Sequence, residues 1–238
     1  MVTKNQIKLV VNLKQKKYRS QHGLFVVEGE KVVRELLAAK LKVHGLYVDS
    51  PEKIEIFPEA EVVGASQLKQ MSSLKQPNGV LGVFRMPTAE MQTESDWVLV
   101  LDAVRDPGNL GTIIRLCDWF NIKQLVCSPD TVDCYNPKVL QATMGSIARV
   151  NIGYTDLKTY LSDTERPIFG AFMDGTSVYA EKLPKKGILV MGNEANGISE
   201  AVEALITKRI AIPQFGNQST ESLNVATATA ILLSEIRR

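Results

Sequence analysis

Residues 212–238 read IPQFGNQSTESLNVATATAILLSEIRR, and they combine a strand end, a polar loop and a final helix. The strand stops at Pro213, amide and hydroxyl side chains fill the loop, and the helix opens with small residues that let another backbone approach closely. One interpretation is a capped, buried terminal helix, because Ser and Thr are common N-cap residues. The other is a functional site, because Asn109–Arg115 and Gly192–Gly197 are equally rich in Gly, Asn and charge and also follow apolar strands.

Apolar strands alternate with amphipathic helices through the whole C-terminal part of the chain. This alternation predicts an α/β fold with a mostly parallel sheet and helices on both faces. Ligands bind beyond the carboxyl ends of the strands in such sheets, and the three polar stretches fall there. The predicted strands are 97–101, 124–127, 149–152, 168–172, 188–191 and 209–212, and the predicted helices are 110–120, 136–144, 156–161, 199–206 and the final helix.

The first ninety residues show a second, smaller α/β alternation. Residues 14–23 are polar and basic, and residues 87–96 are polar without periodicity, which predicts a linker. The predicted domains are therefore 1–86 and 97–238. In the first domain the predicted helices are 4–13, 30–39 and a short one capped by Ser66 that runs to residue 74, and the predicted strands are 24–28, 43–48, 61–64 and 80–86.

The composition is that of a globular protein with a substantial core. The chain has 238 residues, of which 45% are hydrophobic. Its longest apolar runs fall far short of the roughly 20 residues that span a bilayer, and its N-terminus has no apolar stretch of the signal-peptide type. Three cysteines without C-x-x-C spacing and only two histidines argue against a zinc site. We therefore expect no metal, no membrane association, and free thiols in a reducing cytoplasm.

Positive charge is concentrated at the N-terminal end. Residues 1–90 carry 14 basic and 9 acidic side chains, a net charge of +5, whereas residues 91–238 carry 14 and 17, a net charge of −3. A basic end on a nearly neutral protein indicates a polyanionic partner, and the alternative is a merely solvated surface. The first twenty residues hold six of these cations and no acid: Lys4, Lys8, Lys14, Lys16, Lys17 and Arg19.

The first polar stretch, residues 102–115, reads DAVRDPGNLGTIIR. Pro107 and Gly108 predict a turn, with a helix that starts near Asn109. Arg115 then projects from the second turn of that helix. For an isolated helix the simple alternative is an ion pair between Arg115 and Asp118 or a neighbouring carboxylate.

The second polar stretch, residues 191–199, reads MGNEANGIS and nearly fits a phosphate-binding loop. Ile198 stands where that loop needs its lysine, and Glu194 places a carboxylate where phosphate oxygens would sit, so an NTPase is disfavoured. No G-x-G-x-x-G follows a strand, which disfavours a conventional dinucleotide site as well. What remains is a tight loop around a neutral or cationic ligand, or an ordinary strand-to-helix turn capped by Ser199.

Taken together, the three stretches resemble the three motifs of the SpoU/TrmH family of RNA 2′-O-ribose methyltransferases, in the SPOUT superfamily. Order and spacing match through residues 97–238, whereas the likeness of residues 1–90 to the family's ribosomal-protein-like, RNA-binding α/β domain is looser. The resemblance implies a trefoil-knotted C-terminal domain, a homodimer and S-adenosylmethionine as cofactor. The matching residues are Asn109, Gly111 and Arg115, then Gly192, Glu194 and Gly197, then Ile212, Pro213, Ser222, Leu223, Asn224 and Val225.

The resemblance also implies a role for particular residues. In the family, the arginine that matches Arg115 is proposed to take the hydroxyl proton with help from an RNA phosphate. Because arginine keeps its own proton, we instead expect Arg115 to hold that phosphate beside the target ribose, and the phosphate or a water molecule to accept the proton. From the sequence pattern, Asn224 is expected to lie one turn inside the final helix. The separate N-terminal domain favours rRNA as substrate. A tRNA 2′-O-methyltransferase and a non-catalytic RNA-binding or ribosome-assembly factor remain alternatives. The expected catalytic residues are Arg115, Asn109, Glu194, Ser222 and Asn224; the cofactor-binding residues are Gly192, Ile212 and Leu223; and the RNA-binding residues are Lys14, Lys16, Lys17 and Arg19.

Overall fold

A computed structural model of the protein describes residues 2–88, 95–216 and 222–238. By their internal contacts these residues divide into two compact units. The first unit holds 2–88 together with 133–148, and the second holds the remainder. Residues 133–148 lie inside the predicted domain 97–238, so the contact division and the predicted boundaries differ there. Most of the predicted linker 87–96, and residues 217–221 of the polar loop, lie outside the described residues.

The first unit is built on a four-stranded mixed sheet in the order β1-β4-β2-β3. β4 runs antiparallel to both β1 and β2, and β2 pairs with β3 in parallel. Val10, Leu13, Met71 and Leu81 pack together in its core. The strands are β1 (Leu24–Glu28), β2 (Val43–Val48), β3 (Glu61–Val62) and β4 (Val80–Arg85), and the helices are α1 (Lys4–Asn12), α2 (Lys16–His22), α3 (Glu30–Ala38), α4 (Ala65–Met71) and α6 (Pro137–Thr143), with short 3-10 helices at Pro51–Glu55 and Ser146–Ala148.

Several predictions for this unit need correction. β3 ends at Val62 rather than at residue 64, and α4 ends at Met71 rather than at residue 74. α4 begins at Ala65 with Gly64 as its N-cap, so Ser66 lies inside the helix and does not cap it. The basic stretch 14–23, for which no helix was predicted, contains α2. Its charges gave no amphipathic pattern, and the helix ends at Gly23, whose φ of 62° suits a residue without a side chain.

Residues 133–148 are fastened to the first unit by buried groups. Asp133 accepts a 2.5 Å hydrogen bond from the guanidinium of Arg19, and the ring of Tyr135 lies 4.7 Å from that of Phe25, centroid to centroid. Gly145 has φ of 98°, and a Cβ there would come within 2.7 Å of the Glu35 side chain. The close approach of this segment to α3 therefore requires glycine.

The second unit is built on a six-stranded, wholly parallel sheet in the order β10-β8-β9-β5-β6-β7, which confirms the predicted mostly parallel sheet. Val98 and Val100 of the central strand pack on one face with residues of α7 and α8, and Leu99 and Leu101, which point to the other face, are equally buried. The strands are β5 (Trp97–Leu101), β6 (Gln124–Cys127), β7 (Asn151–Tyr154), β8 (Ile168–Ser177), β9 (Gly187–Met191) and β10 (Lys208–Ala211), and the helices are α5 (Pro107–Trp119), α7 (Leu157–Ser162), α8 (Glu200–Glu203) and α9 (Val225–Ile236).

Several element boundaries in this unit differ from the prediction. α5 begins at Pro107 with Asp106 as its N-cap, so Pro107 and Gly108 belong to the first turn of the helix and do not form a separate turn before it. β7 begins two residues later than expected, and α8 is a single turn rather than the predicted 199–206. β10 ends at Ala211, before the predicted end at residue 212. β8 runs five residues beyond its predicted end because β10 follows it through a bulge between Arg209 and Ile210. A Cβ at Gly175 would lie 2.6 Å from the Ile210 carbonyl carbon, so this close pairing also depends on glycine.

Candidate functional site

The three polar stretches meet at one edge of the second unit's sheet. All six strands are parallel, so their carboxyl ends share that edge, and Leu101 at the end of β5 is in register with Met191 at the end of β9. The loops after β5, β9 and β10 carry the first, second and third motif respectively. This arrangement confirms that the three stretches follow carboxyl ends of strands in one parallel sheet, in which β5 and β9 are neighbours and β8 lies between β9 and β10.

Buried polar contacts fasten the first loop to the second. Asp102, which is 6% exposed, accepts a hydrogen bond from the backbone N–H of Ser199 at 2.8 Å. Ala103 takes a left-handed φ of 57°, its N–H donates to Ser128 Oγ at 2.9 Å, and its carbonyl accepts from Asn193 Nδ2 at 2.7 Å. A left-handed alanine costs roughly 1–2 kcal/mol, so these bonds hold the loop in a conformation that it would not adopt alone.

The second loop is a closed turn from Gly192 to Gly197. The backbones of Asn193 and Gly197 exchange two hydrogen bonds, of 2.8 and 2.9 Å, and the Asn193 side chain accepts from the N–H groups of Ala195 and Asn196. A Cβ at Gly192 would lie 2.2 Å from the backbone of Gly197. Gly192 is therefore required by the closure of the loop itself, and the glycine-flanked tight loop predicted from the sequence is confirmed.

One side chain from each motif joins a chain of hydrogen bonds that we call the relay: Asn224, Asn109 and Glu194. Asn224 Nδ2 donates to Asn109 Oδ1 at 2.9 Å, and Asn109 Nδ2 donates to Glu194 Oε1 at 2.7 Å. Asn109 is held in place by the start of α5, where its N–H donates to the N-cap Asp106 at 2.7 Å. The structure thus brings together three residues that lie up to 115 positions apart.

The backbone at the start of α9 sets the direction of the relay. Asn224 is the N-cap of this helix, and its Oδ1 accepts from the N–H groups of Ala226 and Thr227. Because Oδ1 is committed to these donors, Nδ2 must be the atom that faces Asn109, which in turn directs the Asn109 amide toward Glu194. The prediction that Asn224 lies one turn inside the helix was wrong, because the helix begins at Val225.

A cavity of about 670 Å³ opens beside the relay. Its polar edge includes Glu194 and Ser222, and all three residues predicted to bind the cofactor line it: Gly192, Ile212 and Leu223. The remaining lining is largely apolar and comes from β8, the β9 and β10 loops and α9: Ala171, Phe172, Met173, Met191, Asn193, Ala195, Asn196, Gly197, Ile198, Glu203, Ile210, Pro213, Gln214, Val225, Ala228 and Leu232.

Arg115 is exposed on α5 and makes no ion pair or hydrogen bond with any residue that the structure describes. The alternative partner Asp118 instead pairs with Arg149 at 2.7 Å. The described contacts do not join Arg115 to the relay or to the cavity. Its guanidinium is therefore available to a partner outside the described residues.

The predicted RNA-binding residues, which lie in the first unit, divide into three kinds. Lys16 and Lys17 are exposed on α2, and Lys14 is half-buried, with its ammonium donating to the Ser72 carbonyl at 2.6 Å. Arg19 is only 3% exposed, and besides Asp133 it donates to the carbonyls of Leu13 and Lys14. The prediction that Arg19 binds RNA needs correction, because its guanidinium is buried and forms hydrogen bonds within the first unit.

Sequence reasoning missed the residues that hold the loops, namely Asp102, Ser128 and Asn193. A buried-strand pattern that ends in an aspartate was the one available signal for Asp102, whereas the other two depend on contacts far apart in sequence. Among residues 2–88, 95–216 and 222–238, no cluster of three His, Cys, Asp or Glu side chains could hold a metal ion. In the same ranges no helix has the length and apolar character to cross a membrane.

Comparison with known families gives two matches that together cover most of the chain. The model of the SpoU rRNA Methylase family matches residues 96–234. The model of the MRM3-like substrate binding domain matches residues 4–82. The first match includes all three motifs and the cavity they surround, and the second includes the basic N-terminal helices.

Known proteins resemble the chain over nearly its whole length. A TrmH-family protein from Porphyromonas gingivalis shares 39% identity with a TM-score of 0.92, covering 100% of this chain and 98% of that one. The AdoMet-bound rRNA methyltransferase from Sinorhizobium meliloti shares 27% identity with a TM-score of 0.86, covering 100% and 95%. The 23S rRNA (guanosine(2553)-2′-O)-methyltransferase RlmP of Bacillus subtilis is 29% identical, covering 98% and 97%.

Proposed function

Because the chain belongs to the SpoU rRNA methylase family, we propose that it transfers a methyl group from S-adenosylmethionine to a ribose 2′-hydroxyl of ribosomal RNA. The observation that carries this proposal is the relay of Asn224, Asn109 and Glu194 beside the large cavity. Each motif of the family supplies one relay residue. Two family relatives that match along the whole chain are named as rRNA methyltransferases.

The cavity suits a nucleoside cofactor in size and chemistry. At about 670 Å³ it falls within the roughly 300–1,000 Å³ typical of small-molecule pockets. Phe172, Leu223 and Leu232 offer apolar surface, and the loop at Gly192 and the strand end at Ile212 offer backbone N–H and C=O groups. When bound, S-adenosylmethionine supplies an electrophilic methyl group on a sulfonium, whose neutral thioether product needs no metal to leave.

The protein's own residues would align the ribose and manage its proton. Holding two reactants in line can contribute about 7–11 kcal/mol to the barrier reduction, and the relay is a fixed hydrogen-bonding surface suited to that role. Arg115 would hold an RNA phosphate through two parallel hydrogen bonds. Arginine keeps its own proton, so the phosphate or a water molecule accepts the hydroxyl proton. Ser222, exposed at the cavity edge, would contact the ribose.

The proposal extends to three properties that rest on the family: a trefoil knot in the C-terminal part, a homodimer, and a cytoplasmic location. Val225 and the small residue Ala228 of α9 line one cavity together with the loops after β9 and β10, which supports the knot. Three buried free thiols suit a reducing compartment. Light scattering on the purified protein tests the homodimer, since a single monomeric mass contradicts it.

Two experiments test the proposed function. The first maps 2′-O-methylated positions in total RNA from a strain lacking the gene and from its parent, and loss of one rRNA methyl group is expected. Loss of a tRNA methyl group instead would support the tRNA alternative. The second is a calorimetric titration of the protein with S-adenosylmethionine. Absence of binding would contradict catalysis and favour a non-catalytic assembly factor.

A further inference from the structure

A second cavity, of about 260 Å³, lies wholly within the first unit, and we call it the crevice. It is assembled from two parts of the chain that are more than 60 residues apart in sequence. Neither part plays any role in the methyl-transfer site described above. Its lining residues are Lys14, Val26, Val27, Glu28, Val32, Ser73, Leu74, Asn136, Pro137, Lys138, Leu140 and Gln141.

One wall of the crevice is the loop after α4. Ser73 donates its backbone N–H to Glu28 Oε1 at 2.6 Å, and the Ser72 hydroxyl donates to the other oxygen of the same carboxylate. Lys14 donates to the Ser72 carbonyl from the opposite side. Glu28 is the only acidic residue in the lining, and both of its oxygens are occupied in holding this loop.

The other wall is α6. The ion pair of Arg19 and Asp133 and the contact between the rings of Phe25 and Tyr135 hold the segment before α6 against the rest of this unit. Asn136 caps the helix by accepting from the N–H of Lys138. The Asn136 amide nitrogen and the exposed side chain of Gln141 make no hydrogen bond with the described residues, so both can donate to a ligand. Arg19, buried rather than free for RNA, is thus part of what builds the crevice.

The lining combines an apolar floor with positively charged edges. Val26, Val27 and Leu140 supply the floor, and Lys14 and Lys138 supply two cations against the single occupied carboxylate. At about 260 Å³ the crevice lies just below the roughly 300–1,000 Å³ of drug-sized pockets, which leaves room for one planar ring system. Unpaired RNA bases are recognised through contacts with their faces and hydrogen bonds to their edges, and lysine side chains neutralise the adjoining phosphates.

We propose that the crevice binds a single unpaired base of the RNA substrate, with Lys14 and Lys138 on the flanking phosphates. This inference rests on the proposed function, because it assumes an RNA substrate. It places recognition of a base in the first unit, separate from the relay and the larger cavity. The exposed Lys16 and Lys17, close to Lys14 in sequence, would extend the phosphate contacts.

The test uses a substitution that fills the crevice and leaves the other residues of the first unit unchanged. Gln141→Trp places an indole in the crevice, and Gln70→Trp, at an exposed position of α4 outside the lining, is the matched control. The probes are a short fluorescein-labelled single-stranded RNA and the same strand in a duplex. Exclusion of the base from the crevice and loss of its hydrogen bond to the Gln141 amide should weaken single-strand binding about tenfold for Gln141→Trp, which corresponds to about 1.4 kcal/mol. Duplex affinity, S-adenosylmethionine affinity and the Gln70→Trp variant should be unchanged.

A second pair of variants covers the case in which Gln141→Trp does not fold, as judged by its thermal melt. Lys138→Ala should reduce the log–log salt slope of single-strand binding by about 0.7, and the matched Lys69→Ala should not. Wild-type affinity in folded Gln141→Trp, or an unchanged slope in Lys138→Ala, overturns the crevice proposal. If the wild-type protein itself neither methylates rRNA nor binds RNA, the failure is that of the proposed function.

Discussion

Asn224 has two separable tasks, and substitution can remove them one at a time. Its Oδ1 caps α9, and its Nδ2 holds Asn109 in the relay. Asn224→Ala removes both contacts. Asn224→Asp keeps an oxygen for the cap, and its charge suits the N-terminus of a helix, but its second oxygen would face the Oδ1 of Asn109, so two acceptors oppose each other.

The expected magnitudes follow from these contacts. Loss of an N-cap costs about 1 kcal/mol, and loss of an exposed neutral hydrogen bond costs at most about another 1 kcal/mol. At about 2–4 °C per kcal/mol for a chain of this size, Asn224→Ala should lower the Tm by about 2–8 °C. Asn224→Asp should melt near the wild-type temperature. Both variants should lose rate on the order of a hundredfold, because a misplaced positioning group has that effect.

The assay measures transfer of tritium-labelled methyl groups to rRNA at saturating S-adenosylmethionine, beside a thermal melt and a cofactor titration. Asp156→Ala is the matched control, because Asp156 caps α7 by accepting from Thr159 N–H at 2.8 Å and has no contact with the relay. Asp156→Ala should lower the Tm about as much as Asn224→Ala does and leave the methyl-transfer rate unchanged. A wild-type rate in Asn224→Asp would refute the reasoning, because the relay would then be dispensable.

Three further predictions concern charged residues. Arg115→Lys should lose most turnover and keep S-adenosylmethionine affinity, because an ammonium cannot bind a phosphate bidentately; full activity in the methyl-transfer assay would contradict this role. Changing Lys16 and Lys17 to Ala should lower the log–log salt slope of RNA binding by about 1.4–1.8 in filter-binding titrations, if each contacts one phosphate. Arg237→Ala should lower the Tm at neutral pH. The Arg237 guanidinium hydrogen-bonds Asp96 and lowers the pKa of that carboxyl, so the pair's stabilisation is complete above the usual Asp pKa of about 3.9 and is lost as pH falls through the folded-state pKa. The difference in Tm between the two proteins should therefore shrink in acid to the part that comes from the bonds of Arg237 to the Phe120 and Asn121 carbonyls, and a pH-independent difference would rule out a contribution from the ion pair.

Strands with strong local signals were predicted to the residue. Leu24–Glu28, Val43–Val48, Trp97–Leu101 and Gln124–Cys127 are all observed as predicted. Each is a short run rich in apolar residues, and such runs are typical of strands in a covered sheet. Their pairing order was not predicted, because nothing local distinguishes one apolar strand from another.

Features that depend on distant contacts were not predictable. The extension of β8 to Ser177 exists because β10 pairs along it. The need for glycine at position 175 follows only from the close approach of the Ile210 backbone. Arg19 looked like one more surface cation in a basic stretch, and its burial depends on Asp133, which is 114 residues away. Charge counting alone therefore predicted Arg19 to be exposed on the surface, whereas it is buried.

The candidate site likewise has features that could be predicted from the sequence and features that could not. Asn109, Glu194 and Asn224 were predicted from the motifs as members of one site, and they are in direct contact. That Asn224 is a cap was hidden, because the small residues after it extend the helical pattern without marking its first residue. The interpretation as a helix cap does not exclude the interpretation as a functional site, since the amide side chain that caps α9 also donates to Asn109.

This dual use has a consequence for how the site is held. α9 is tied to α5 near both of its ends: Asn224 bonds Asn109 at one, and at the other Arg237 donates to the carbonyls of Phe120 and Asn121 at 2.7 and 3.0 Å. The same helix lines the larger cavity through Val225, Ala228 and Leu232. A shift of α9 would therefore move the cavity wall and the relay together.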